Sequence, residues 1–233
     1  MQYQCLLIND SGAVEFSDSF LDSAKPGANE LLRNAERNFD LEAPVLDFDM
    51  YDDPEFNQVN DILHAPIDLI INDRTKAIFE SFKLPDHKFG RAKVSRVDKK
   101  LLFLKTKNEL DYHWLYFHAD YWERLYKHID FEQSEFEVYD DKKLVERRIT
   151  SLENLYNLRK SERYLKLRSK KVVLNDFDST IDFFKLPLFS WMTYVSSRLR
   201  DKLLQERVTD IKFVDTGIKS RLEAVQNPLI QIN

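Results

Sequence analysis

Internal disulfides and cysteine-cluster zinc sites are excluded first, because 233 residues contain one cysteine, Cys5. Glycine is almost as scarce, at Gly12, Gly27, Gly90 and Gly217. Their spacing forbids the dinucleotide fingerprint and the phosphate-cradling P-loop, which both need several close backbone approaches. There is no G-x-S-x-G nucleophile elbow and no H-E-x-x-H pair. The most apolar window, "FFKLPLFSWMTYV", is too short and too polar to span a bilayer. The opening "MQYQCLLINDSGAVEF" has neither a basic n-region nor a long apolar run, so no secretion signal is expected in it. These absences lead us to expect a cytoplasmic protein that does not partner a membrane.

What is present points to a packed core. Hydrophobic residues make up 43% and aromatics 13% of the chain, well above the composition of disordered segments. The formal charge of −5 is unevenly spread. Residues 1–87 hold 18 Asp and Glu against 6 Lys and Arg, whereas the rest holds 22 against 29. That polarity predicts two lobes with different electrostatic faces. We place them at 1–107, an acidic lobe, and 108–233, each carrying one strand–helix–strand unit, with one continuous domain as the alternative.

Periodicity supplies the elements. "YQCLLI" reads as a strand, and "PGANELLRNAERNF" as a helix with Leu31, Leu32, Ala35 and Phe39 on one face. "DLEAPVLDFDMYDDPEF" combines prolines with dense carboxylates and reads as an irregular acidic loop. "FNQVNDILH" fits a short helix and "APIDLII" a strand. "FGRAKVSRV" and "LLFLKTK" form a hairpin turning at "DKK", and "LDYHWLYFH" is a central strand. "SEFEVYDDKKLVERRIT" is a second hairpin turning at Asp140–Lys143, "SLENLYNLRK" a serine-capped helix and "RYLKLRSKKVVLND" a strand. Strands in runs with inserted helices predict an α+β class with mixed, mainly antiparallel sheets.

Two stretches match without a gap at an offset of 124 residues, Ile70–Phe89 and Tyr194–Phe213. Arg74 falls on Arg198, Asp86 on Asp210, Lys88 on Lys212 and Phe89 on Phe213. Each reads as strand, capping residue (Asn72 or Ser196), helix, turn and strand.

Candidate chemistry is thin. "VVLNDFDSTI" places Asp176 and Asp178 after an apolar strand, like the nucleophile and acid/base of a Mg²⁺-dependent phosphatase. Only 53 residues follow Thr180, and the rest of that fold has no room, so a strand end and polar turn is preferred. The "DFDMYDD" run could gather a divalent cation, but a solvated loop explains it better. His64, His87, His113, His118 and His128 form no ligand pattern, and structural or surface roles suit them. Basic clusters with Tyr156 and Tyr164 suggest a nucleic-acid regulator, yet interleaved glutamates favour solvated faces. A metal-dependent hydrolase and a nucleic-acid regulator stay as the alternatives.

Three short motifs then carry a resemblance. They are "VSSRLRDKLLQERVTDIKF", "DFEQSEF" (Asp130–Phe136) and "FKLPDHKF" (Phe82–Phe89). In their order and spacing along the chain they resemble a family of immunity proteins from bacterial polymorphic-toxin and contact-dependent competition systems. The family shows an S-E-R-L-K-like helix start and a G-(I/V)-x-F strand. Ser197 stands here where an acid is usual, and Asp210 where glycine is usual. The resemblance implies a protein without enzymatic activity, catalytic residues, metal or cofactor, whose partner is a cognate toxin and not nucleic acid. The expected contact surface is the acidic loop: Asp47, Asp49, Asp52, Asp53 and Glu55, with Tyr51 and Phe56 as aromatic anchors.

Overall fold

The computed structural model describes residues 2–8, 13–23, 27–50, 58–63, 65, 69–101, 104–140, 143–145, 148–161, 166–217 and 228–233. Along the chain run β1 (Tyr3–Ile8), β2 (Val14–Phe16), α1 (Asp18–Ser23), α2 (Ala28–Arg37), β3 (Leu46–Met50), β4 (Ile62–Leu63) and β5 (Leu69–Ile71). Next come α3 (Asp73–Glu80), β6 (His87–Leu101), β7 (Leu104–Phe117), α4 (Asp120–Tyr126), β8 (Glu135–Asp140), β9 (Lys143–Val145) and α5 (Leu152–Ser161). The last elements are β10 (Lys166–Leu174), β11 (Phe183–Leu186), β12 (Ser190–Ser196), α6 (Ser197–Gln205), β13 (Ile211–Asp215) and β14 (Leu229–Ile232). Helices inserted among mostly antiparallel strands make this an α+β fold, as composition and periodicity predict.

Two compact units divide the chain. One takes Ile8–Tyr121 and Asp201–Lys212; the other takes Met1–Leu7, Trp122–Arg200 and Phe213–Asn233. We call them the N-terminal and C-terminal units. The expected boundary at residue 107 falls inside β7, in the N-terminal unit. The N-terminal unit carries 25 acidic against 17 basic side chains, and the C-terminal unit 15 against 18.

The N-terminal unit is built on a sheet of order β2-β3-β6-β7-β5-β4. Its inner face collects every second residue: Leu46, Phe48 and Met50 from β3, Ala92 and Val94 from β6, Tyr112, Trp114 and Tyr116 from β7. Phe20 of α1 and Ala35 of α2 close over them. Phe48 is fully buried and stacks on Phe16 at 4.8 Å; such burial contributes about 2–3 kcal/mol.

Three local expectations are corrected here. Residues 46–50 of the supposed acidic loop form strand β3, because alternate apolar side chains bury while the aspartates between them face outward. The "DKK" triplet lies within β6, and the hairpin closes where Leu101 faces Leu104; long strands β6 and β7 carry the turn past it. Residues 58–61 are not helical, and Ile62–Leu63 pair with β5 instead.

Two sheets make up the C-terminal unit, of orders β11-β12-β1-β13 and β14-β10-β8-β9. Tyr194 and Phe184 stack at 5.1 Å, and the Tyr3 ring meets Phe184 edge-on at 5.0 Å.

The sequence match at 124 residues extends to hydrogen bonds. Asn72 Oδ1 caps α3 by accepting from Thr75 N at 2.9 Å, and Ser196 Oγ caps α6 by accepting from Leu199 N at 3.2 Å. Across the neighbouring strand, Asp61 lies opposite Asn72 and Asp182 opposite Ser196, and each accepts a hydrogen bond from its cap side chain. Arg74 and Arg198, two residues into the helices, pair with those same aspartates. Sheet orders agree as well: β4-β5-β7-β6 in one unit, β11-β12-β1-β13 in the other. The helix leads to a strand one place beyond its neighbour in both.

Candidate interaction surface

Alternation along β3 decides where its carboxylates go. With Leu46, Phe48 and Met50 inward, Asp47 and Asp49 stand on the outer face of the N-terminal unit's sheet. Glu15 of β2 pairs opposite Asp49 and is exposed. On the other side Asp47 faces Lys93 of β6, and Lys93 faces Asp111 of β7. Lys93 Nζ donates to Glu109 Oε1 at 2.8 Å, and Arg91 lies 3.9 Å from Asp111. The Glu109 hydrogen bond and charge, joined by Asp111, hold the Lys93 ammonium above the ordinary lysine range.

Three strands therefore present charge in rows: carboxylates on β3, cations on β6, carboxylates on β7. Among the described side chains of this face, Glu15, Asp47, Asp49, Glu109 and Asp111 outnumber Arg91 and Lys93. Farther along β7, His113 Nε2 meets Asp73 Oδ1 at 2.6 Å, and the imidazole lowers the Asp73 carboxyl pKa. Pairs this exposed add little to folding stability, typically under about 1 kcal/mol each. They set the field a partner meets.

Of the expected contact residues, Asp47 and Asp49 belong to this face. Tyr51, Asp52, Asp53, Glu55 and Phe56 lie outside the described residues. Glu15, Arg91, Lys93, Glu109 and Asp111 were missed by sequence reasoning. Their signal was the two-residue period of "VEF", "RAKVS" and "NELDY", where charges alternate with core residues.

The motif residues behind the family resemblance fall into the scaffold. Asp130 Oδ1 accepts from the backbone of Glu132 and Gln133, both at 2.9 Å, and Oδ2 accepts from Asn175 Nδ2 at 2.7 Å. Ser134 Oγ accepts from Val173 N at 2.9 Å, and the Phe136 ring packs 5.3 Å from Phe189. Ser196 is the helix cap, Arg198 pairs with Asp182 and Leu199 is fully buried. Asp210, where the family pattern has glycine, adopts φ +66°. That left-handed conformation is the one glycine tolerates best. His87 bonds the Pro85 carbonyl through Nδ1 at 2.8 Å, and its ring meets Phe89 edge-on.

The paired aspartates of "NDFDST" make a turn. Asp178 Oδ1 accepts from Thr180 N at 2.9 Å and from Thr180 Oγ1 at 2.6 Å. Asp176 sits at φ +53°, and Asn175 is tied to Asp130. Among the described residues, no three of His, Cys, Asp and Glu are grouped to hold a metal ion. Also among them, no helix is long and apolar enough to cross a membrane. Comparison with protein-family models yields no match, and no curated protein matches the chain.

Proposed function

We propose that the chain is an immunity protein that neutralises a cognate bacterial toxin by direct contact in the cytoplasm of the producing cell. One observation supports this reading above others: among the described side chains, the outer sheet face keeps a mixed pattern in which carboxylates outnumber cations on rigid strands, with Asp47 and Asp49 beside the cations of β6. Side chains fixed on strands lose little freedom on association, and a carboxylate field speeds capture of a basic surface. Occupying a basic groove meant for nucleic acid is one way such a face silences a toxin.

The test uses the full chain as bait in its source cell, followed by mass spectrometry of what it retains. Recovery of one large partner whose toxic domain is silenced on co-expression supports the reading. Charge reversal at Asp47 and Asp49 should then slow association and flatten its salt dependence. A toxic partner that binds equally fast to the reversed variant removes this face from the interface, and no toxic partner at all overturns the immunity role.

A further inference from the structure

Strand β3 leaves part of β6 uncovered. Parallel pairing begins at Leu46 opposite Ala92, whereas β6 continues back to His87 along β7. Carried two residues further, the β3 register would set Pro44 opposite Gly90. Proline has no N–H to donate to a ladder and is confined to sheet edges. The chain leaves β6 at that proline, and among the described residues no backbone hydrogen bond joins 40–45 to 88–91.

A cleft of about 390 Å³ opens between them, with Leu41, Glu42 and Val45 on one wall and Lys88, Gly90 and Arg91 on the other. Alternate residues of a strand turn their N–H and C=O groups to the same side, so this short edge of β6, unpaired among the described residues, offers a place for another extended chain. Leu41 is 67% exposed and Val45 41%, both large apolar side chains beside that edge. Gly90 lets the Trp114 indole lie directly against the backbone of β6. A Cβ there would fall inside the indole of Trp114, whose Nε1 is buried without a hydrogen-bond partner. The Lys88 ammonium donates to the Phe39 carbonyl and Arg91 lies 3.9 Å from Asp111, so both cations of this edge already have partners of their own.

We propose that this cleft takes an extended segment of a partner polypeptide. About four residues of it pair with β6 at 88–91 and lay apolar side chains on Leu41 and Val45. The proposal holds whether or not the partner is a toxin, and it uses the edge of β6, which shares Arg91 with the charged outer face.

A display library of random nonapeptides, panned on the full chain, supplies the probe. Enriched peptides should carry apolar residues at alternate positions and protect amides within Lys88–Arg91 from hydrogen exchange. Leu41→Asp and Val45→Asp should each weaken them at least ten-fold, with circular dichroism unchanged because both side chains are exposed. Enrichment no better than on an unrelated protein overturns the proposal. So does protection confined to other strands, or binding indifferent to both substitutions while the fold is intact.

Discussion

Arg198 closes over Asp182 with two parallel hydrogen bonds, Nη2 to Oδ2 at 2.8 Å and Nε to Oδ1 at 3.1 Å. The Asp182 side chain is 1% exposed and that of Arg198 56%. Arg198→Ala would leave a buried carboxylate, still bonded by Ser196 Oγ, without its guanidinium. Breaking a fully buried pair costs about 3–5 kcal/mol; the half-exposed guanidinium brings the expected loss to about 2 kcal/mol. The repeat supplies a built-in control. Arg74 meets Asp61 at 3.3 Å in a more open setting, so Arg74→Ala should cost under about 1 kcal/mol. Urea unfolding of the two variants gives both numbers, and equal losses would break the proposed ranking.

Helix α6 ends in a two-bond motif, with Arg207 N donating to Leu204 O at 3.0 Å and Val208 N to Leu203 O at 3.0 Å. Arg207 occupies the left-handed position at φ +53°, where glycine is the relaxed residue. Its side chain is exposed. Arg207→Gly should therefore stabilise the protein, by about 0.5–1 kcal/mol. Thermal unfolding checks it, and a lower Tm would contradict the assignment of strain.

Burial alone would raise the Asp61 carboxyl pKa. Hydrogen bonds from Thr209 and Asn72 and the Arg74 charge outweigh it and hold the group below the ordinary carboxylate range. A folded pKa below the unfolded one contributes stability above the unfolded value, about pH 4, that disappears as pH falls through the folded value. Asp61→Asn should lower stability at neutral pH and flatten its decline between about pH 5 and pH 2. A variant whose stability falls as steeply with acid as the parent would place the titration elsewhere.

The Cys5 thiol is fully buried, and desolvation, helped by the Asp215 charge, pushes its pKa up to about 12. Thiolate is the reactive form. A disulfide reagent should leave the folded protein unmodified at pH 8 and label one thiol once denaturant is added. Rapid labelling without denaturant would show that β1 opens.

The fold class, the first strand, the cap at Ser151 and the hairpin at Asp140–Lys143 were legible because each rests on local spacing. Strand β3 was hidden by the carboxylates that alternate with its core residues, which resemble a loop until a partner strand is known. The long β6–β7 hairpin was misread at "DKK" because turn residues were weighed above cross-strand pairing. At the candidate surface, Asp47 and Asp49 were found as an acidic cluster; the cations between them and β7 belong to β6, more than 40 residues downstream. Only the register brings them together. The repeat was visible as four identities, but its Asp61 and Asp182 members fall outside the aligned stretch and needed the hairpins to reveal them.

Thr209 reaches Asp61 across 148 residues of chain. A ribosome adds about 5–20 residues per second, so Asp61 emerges about 7–30 s before its partner exists. Once β7 is made, every strand of the N-terminal unit's sheet has been synthesised, yet the 201–212 segment that completes the unit is still to come. The unit that carries the charged outer face is thus the first to be made and among the last to be finished, and its maturation is timed by translation of the other.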